Sequence, residues 1–186
     1  MDEFCRRIYD KYCMSEKNFT LKSPDWQGQV PPRCAYRGCV PGAENLSPAL
    51  EWIDPPDGAA GFALTLYDPD APTGSGWWHW LAFNIPRTAT SLSAGAGSPG
   101  SHAMWEGAVQ SANDYGEFGY GGPCPPKGDR PHRYILTVYA LPTAKMEGLD
   151  RRSSPVSVGF ALNSESIARA SLIAYFGVVG GAGERS

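Results

Sequence analysis

Alternation of apolar and polar side chains with a period of two residues predicts most of the regular structure of this chain. Phe62, Leu64 and Leu66 alternate with other residues as expected of a strand with one buried face. The run from 133 to 141 is rich in β-branched and aromatic residues and predicts a second strong strand. Both runs stop at a proline, as strands commonly do where a turn begins.

A third strand is predicted from Trp77 to Ile85, and both of its faces carry large side chains that need cover. Strict alternation places His79 on one face together with Leu81 and Phe83. The opposite face then carries Trp78, Trp80, Ala82 and Asn84.

Helical periodicity is predicted near both ends of the chain. Phe4, Ile8 and Tyr12 recur every four residues, so a short appended amphipathic helix is predicted over residues 1 to 17. Near the C-terminus, Asn163 is the predicted cap of a second helix. That helix is predicted to carry an apolar stripe and to end at a glycine: Ile167, Ala170, Ala174 and Gly177.

Together these elements predict a mainly β protein. The segment from 87 to 120 is rich in Gly, Ser and Ala and has no sustained period, which is typical of long connecting structure. Short strands, Pro/Gly turns and a few peripheral short helices favour a sandwich of antiparallel sheets. We predict a single domain over residues 18 to 177, followed by a flexible tail over residues 178 to 186.

Composition and charge narrow the class of protein. The chain has 186 residues, of which 42% are hydrophobic and 19% are charged, enough for one sizeable core. The formal net charge of −3 and the lack of a Lys/Arg run argue against a nucleic-acid partner. No apolar run approaches the roughly 18 residues of a membrane span, and the first residues are acidic. We therefore expect a cytoplasmic protein without a membrane span.

The cysteine pattern indicates reduced thiols. The five cysteines are odd in number and scattered, unlike the dense pairs of small secreted domains. Cys124 is either a nucleophile or an inert small residue, and the inert role is favoured because nothing in the sequence indicates a lowered thiol pKa. The full set is Cys5, Cys13, Cys34, Cys39 and Cys124.

Two polar stretches concentrate the side chains that can carry chemistry. One runs from Asp68-Pro-Asp-Ala-Pro72 to Trp77-Trp-His-Trp80, and the other from Cys124-Pro-Pro-Lys-Gly128 to His132-Arg-Tyr134. A carboxylate beside an imidazole favours the imidazolium, which binds phosphate-like anions near neutral pH. We therefore predict that the aspartates and histidines form an anion pocket, with the rigid Pro-Pro turn as one wall.

Each of these residues also has a structural alternative. Asp68 and Asp70 can hold their turn by accepting backbone N–H bonds, and His79 can be a hydrogen-bonded core residue. A zinc site of His79, His132, Cys124 and an aspartate is chemically possible but lacks the usual ligand spacing. No nucleophile elbow or phosphate loop occurs, so we expect no enzyme and no cofactor. Slow phosphoester hydrolysis with an Asp-His general base stays an alternative.

The same residues resemble the two signature regions of the phosphatidylethanolamine-binding proteins. The order and separation of the two blocks agree, and the resemblance runs from about Phe19 to Phe176. The short link Thr73-Gly-Ser-Gly76 is similar to that of the bacterial YbhB/YbcL, Raf-kinase-inhibitor-like branch. The matching blocks are Asp68–Pro72, Trp77–Trp80, Asn84–Pro86, Gly122–Gly128, His132–Tyr134 and Val138–Leu141.

This resemblance implies a β-sandwich with a pocket for phosphate, phosphorylated head groups or similar small anions. In that pocket the aspartates orient the histidines, while the histidines and a tyrosine donate to the anion. It also implies a homodimer, for which the Trp-rich strands offer apolar surface. An interaction protein that inhibits or scaffolds a kinase or another partner is the alternative. The implied ligand-binding residues are Asp68, Asp70, His79, Gly122, Cys124, Pro125, His132 and Tyr134.

Overall fold

Two antiparallel sheets form the framework of residues 18 to 180, the part of the chain that the computed structural model describes. The helix predicted over residues 1 to 17 lies outside the described residues, as do residues 181 to 186 of the predicted tail. The smaller sheet has the order β1-β2-β5, with β1 at Thr20–Lys22, β2 at Leu50–Ile53 and β5 at Ser91–Leu92. The larger sheet has the order β6-β4-β3-β7-β8, with β3 at Gly61–Asp68, β4 at Trp77–Pro86, β6 at Val109–Gln110, β7 at His132–Leu141 and β8 at Ala168–Phe176.

Helices are peripheral in this fold. A 3₁₀ turn spans Pro32–Cys34, and the helix α1 spans Pro155–Glu165. Within residues 18 to 180, no helix is long and apolar enough to cross a membrane.

The larger sheet has a hydrophobic core on each face. Toward the smaller sheet, Phe62 and Leu64 of β3 pack in one cluster with Trp52 of β2, as their alternation predicts. On the opposite face, Val158 and Leu162 of α1 pack with side chains of β4 and β7. The predicted mainly β sandwich of antiparallel sheets is confirmed.

A β-bulge in β4 lies at His79. Leu66 of β3 pairs with Trp80, but the next residue of β3, Tyr67, pairs with Trp78. His79 is therefore an extra residue that opposes no residue of its own on β3. Bulges of this kind re-aim a side chain and are common beside functional sites.

The bulge overturns the predicted alternation of β4. His79 contacts the ring of Tyr134, with 5.2 Å between ring centroids, so it faces the inter-sheet side, as Trp80 does. Leu81 and Phe83 lie in the smaller core against α1. Grouping His79 with Leu81 and Phe83 was wrong because the extra residue resets the two-residue period.

The predicted helix beginning at Asn163 is also wrong. The helix α1 lies earlier in the chain and is capped by Ser154, whose side chain accepts a hydrogen bond from the first turn. Ala170 and Ala174 instead belong to β8, which pairs with β7 over nine residues. A spacing of four residues fits one stripe of a helix and one face of a strand equally, and the neighbouring strand decides between them.

The segment from 87 to 120 is long connecting structure, as predicted, with only the two-residue strands β5 and β6 in it. Its last part forms a turn built by the Asn113 side chain. Asn113 Oδ1 accepts the N–H groups of Tyr115 (3.0 Å) and Glu117 (3.1 Å), and its Nδ2 donates to Gly119 O (3.0 Å). This turn carries Tyr115 to the ends of the central strands.

A disulfide bond joins Cys39 and Cys124. The expectation of reduced thiols is therefore wrong for this pair. The two residues are 85 apart in sequence, but the fold brings their Cα atoms to 5.5 Å, a separation typical of disulfides. Cys34 is a free, buried thiol whose pKa is raised by burial, and Cys5 and Cys13 lie outside the described residues.

Candidate functional site

A cavity of about 250 Å³ lies where β3 ends and where β4 and β7 begin. These three ends coincide because the strands are antiparallel neighbours. Six of the eight predicted site residues line it: Asp68, His79, Cys124, Pro125, His132 and Tyr134. The remaining lining residues are Ala71, Pro72, Thr73, Trp77, Tyr115 and Pro126.

His132 lies between two carboxylates. Its Nδ1 is 2.8 Å from Asp68 Oδ2, and its Nε2 is 3.2 Å from Asp129 Oδ2. Burial lowers the pKa of His132, but the hydrogen bonds and charges of Asp68 and Asp129 outweigh it, and the pKa lies above its ordinary value. Hydrogen bonds from both nitrogens require the imidazolium, so His132 is a buried cation at the cavity wall.

Asp68 has both roles that the sequence left open. Its Oδ1 accepts the N–H of Asp70 at 2.8 Å, which holds the turn after β3. Its Oδ2 accepts from His132 and fixes the orientation of that ring. The side chain is only 3% exposed, so these partners rather than bulk water satisfy its oxygen atoms.

His79 is a neutral imidazole with a defined tautomer. Its Nδ1 lies 2.8 Å from Gly121 O and 3.1 Å from Gly122 O, and only an N–H can satisfy two carbonyl acceptors. Burial holds the pKa of His79 at about 4, against the partial opposing effect of these carbonyls and of Asp68. In the neutral ring Nε2 is therefore an acceptor, and it gains a proton only well below neutral pH.

Acidification is expected to destabilise the protein through His79. The folded-state pKa is about 4 and the unfolded one about 6.5, so between these values the unfolded chain binds the extra proton. The contribution of neutral His79 to the free energy of unfolding is then fully present above about pH 6.5. It decreases as the pH falls toward 4, by about 3 kcal/mol in total. Urea unfolding of wild type and His79→Gln at pH 4 to 7 measures this slope.

The substitution His79→Gln should flatten the acid limb of that stability profile, because glutamine does not titrate. His102 is exposed, so His102→Gln is the matched control and should leave the slope unchanged. An acid limb of equal steepness in His79→Gln and wild type would contradict the assignment.

Two buried donors at the cavity have no partner among residues 18 to 180. Within this range the Tyr134 hydroxyl and the Trp77 indole N–H make no hydrogen bond, and both residues line the cavity. Burial and then the charge of Asp68 raise the pKa of Tyr134 well above its ordinary value, so the hydroxyl keeps its proton. An unpaired buried donor costs roughly 1 to 3 kcal/mol. Both groups would therefore gain from an acceptor placed in the cavity.

An aromatic wall closes one side of the cavity, and the sequence predictions missed it. Tyr115 stacks on Tyr36 at 4.2 Å and meets Trp77 and His79 edge to face at 5.3 and 5.5 Å. Its hydroxyl donates to Gly122 O at 3.1 Å, and burial raises its pKa. Tyr115 lies in a connection without periodicity, so its only sequence signal is the Asn113 turn that presents it.

Asp70 does not line the cavity, and its predicted place in the pocket is wrong. Its carboxylate accepts from Arg133 Nε at 2.8 Å and from Arg130 at 3.0 Å. The hydrogen bonds and charge of Arg133 hold the pKa of Asp70 well below its usual range. Because Arg133 lies in β7 and Arg130 just before it, Asp70 connects the turn after β3 to the start of β7 and acts structurally.

Gly122 lies behind the cavity rather than on its lining. Its carbonyl accepts from His79 and Tyr115, and its N–H donates to Asn45 Oδ1 at 2.6 Å. A Cβ at this position would collide with the backbone at Cys34, so glycine alone lets the chain pass this closely. Gly122 thus orients the two rings that form the wall.

Cys124 and Pro125 line the cavity, as predicted. Because Cys124 is joined to Cys39, it offers neither a thiolate nucleophile nor a thiolate ligand for zinc. Within residues 18 to 180, no group of three or more His, Cys, Asp or Glu side chains is arranged to hold a metal ion.

A mainly β sandwich with a pocket of histidine, aspartate and tyrosine at its strand ends is the architecture that the sequence motifs implied. The chain belongs to the phosphatidylethanolamine-binding protein family, whose family model matches residues 22–177. The match includes every residue of the cavity lining.

Similar proteins give the branch within the family. The chain is 51% identical over 135 residues to the UPF0098 protein YbcL of Escherichia coli, covering 73% of this chain and 72% of YbcL. It is 45% identical over 148 residues to the UPF0098 protein YbhB of the same organism, covering 80% and 92%. The crystal structure of E. coli YbcL matches with a TM-score of 0.82 at 43% identity, covering 86% of this chain and 98% of that one. The predicted family and its YbhB/YbcL branch are confirmed.

Proposed function

We propose that this protein binds a small anion of the phosphate or phosphate-ester type in the cavity, without turning it over. The observation that carries the proposal is the Tyr134 hydroxyl, a buried donor that lines the cavity and has no partner among the described residues. The Trp77 N–H is a second such donor. Donors without acceptors favour a ligand rich in oxygen atoms.

The charges at the cavity are mixed, so the unpaired donors rather than net charge favour an anion. His132 lies between the carboxylates of Asp68 and Asp129, while nearby Asp70 is neutralised by Arg133 and Arg130. His79 contributes a neutral Nε2 that can accept from a protonated oxygen of the ligand. A binding role without turnover is favoured because the described residues provide no free thiol at the cavity, Cys124 being oxidised.

Tyr134→Phe is expected to weaken binding of inorganic phosphate by about tenfold, the loss of one hydrogen bond to a charged acceptor. The same change should leave the free energy of unfolding equal or slightly higher, because it removes an unpaired buried hydroxyl. Isothermal titration calorimetry and urea unfolding measure the two effects.

Tyr139→Phe is the matched control for this experiment. Tyr139 is a buried tyrosine of the same strand, but it belongs to the core on the opposite face of the sheet. It should leave phosphate affinity unchanged. Wild-type protein that binds no phosphate, or Tyr134→Phe that binds it as well as wild type, would refute the proposed function.

The remaining expectations stay predictions. Homodimerisation has support from exposed apolar side chains such as Phe160 of α1 and Ile173 of β8, and sedimentation mass decides it. A cytoplasmic location and a protein partner of the kinase type also stay predictions. A partner that is released when phosphate is added would link the two functions.

A further inference from the structure

In this structure His132 has no free ring nitrogen. Asp68 accepts a hydrogen bond from Nδ1 at 2.8 Å, and Asp129 accepts one from Nε2 at 3.2 Å. An anion that accepts an N–H from His132 must therefore replace one of these two carboxylates.

Asp129 is the carboxylate that an anion can replace. Its side chain is 42% exposed, whereas that of Asp68 is 3% exposed. Removing Asp68 from His132 would leave a buried charge and disturb the turn at Asp70. Asp129 can instead turn into water, where its charge is well solvated.

Backbone hydrogen bonds fix the main chain of the loop around Asp129, whereas the carboxylate is partly exposed. The Gly128 N–H donates to Val178 O at 2.8 Å, and the Asp129 N–H donates to Pro126 O at 3.2 Å. Asp129 Oδ1 accepts the neighbouring Arg130 N–H at 2.9 Å, its one hydrogen bond to the part of the chain that the structure describes. Rotation of one side chain is therefore enough to free Nε2, and the loop backbone need not move.

We propose that Asp129 is a built-in competitor for the anion site and sets how strongly an anion must interact to occupy it; this rests on the proposed anion-binding function. A carboxylate ligand only exchanges one carboxylate for another at Nε2. Because Asp129 is tethered there at a high effective concentration, such a ligand gains little. A phosphate-type anion offers more oxygen atoms and can accept from His132, Tyr134 and Trp77 at once. It therefore displaces Asp129 where acetate does not.

The test is calorimetric titration of the full chain with inorganic phosphate and with acetate. Asp129→Asn removes the competing charge at nearly constant size. It is expected to raise the affinity for phosphate and the affinity for acetate by a similar factor, about tenfold each. Asp129→Ala, which also removes the acceptor, should change both affinities in the same direction.

A charge control separates this effect from the general field of the protein. Glu117 is a carboxylate near the cavity that accepts from Tyr36, so Glu117→Gln removes one negative charge without freeing His132. It should change phosphate affinity by less than about twofold.

The outcomes distinguish this inference from the function on which it rests. If wild type binds phosphate and Asp129→Asn binds it equally or more weakly, the role of Asp129 is refuted and anion binding stands. If neither protein binds phosphate, both proposals fail. Binding by Asp129→Asn alone supports the role of Asp129 and refutes phosphate binding by the wild-type protein.

Discussion

Removing the Cys39–Cys124 disulfide, by the double substitution Cys39→Ser/Cys124→Ser, is expected to lower the free energy of unfolding by about 4 kcal/mol. The bond closes a loop with a sequence separation of 85 residues, which contains β2 to β6. Freeing that loop increases the entropy of the unfolded chain. Urea unfolding of the oxidised wild type and of the double variant measures the difference.

Reductant supplies the control for this prediction. Dithiothreitol should lower the stability of wild type toward that of the double variant and should leave the double variant unchanged, which excludes an effect through the remaining thiols. Equal stability of oxidised wild type and double variant would contradict the prediction. Cys124 is exposed and lines the cavity next to Pro125. Phosphate affinity, measured on wild type and on the double variant, therefore also reports whether the disulfide supports this side of the cavity.

The parts of the fold that were predicted correctly have one period that persists along the strand. Phe62 and Leu64 have the period of a strand, and the structure has β3 there, although both of its faces are buried rather than the one that was predicted. Ala170 and Ala174 fit either a helix or a strand, and only pairing with β7 makes β8 a strand. The bulge at His79 likewise depends on the neighbouring strand, because register is a property of the pair.

The site residues that were predicted correctly and those that were not differ for a similar reason. Six of the eight predicted residues line the cavity because they lie in motifs at strand ends, where the fold brings chain segments together. Asp70 was misplaced because nothing in its motif reveals that Arg133 and Arg130 neutralise it. The sequence did contain a signal for Asp129, since it places this carboxylate three residues before His132 in the same polar stretch. The pairing of Cys39 with Cys124 had none, since five cysteines allow many pairings.

Replacing His132 by leucine is expected to cost about 3 to 5 kcal/mol of stability, the usual cost of leaving a buried charge unpaired. His132 and Asp68 are 1% and 3% exposed, so little bulk water reaches either side chain. Asp68→Asn should cost less, because the amide carries no charge and its oxygen can still accept the Asp70 N–H. The double variant Asp68→Asn/His132→Leu should be more stable than His132→Leu alone.

This double-mutant cycle, measured by urea unfolding, isolates the coupling between the two side chains. Additive costs would show that the Asp68–His132 pair contributes no interaction of its own and that His132 acts by packing alone.

Phosphate titration of the same variants separates stability from binding. Asp68→Asn keeps the imidazole but removes the carboxylate that favours its charge, so it should weaken phosphate binding while the protein stays folded. Loss of the cation, rather than loss of the fold, would then account for the loss of the ligand.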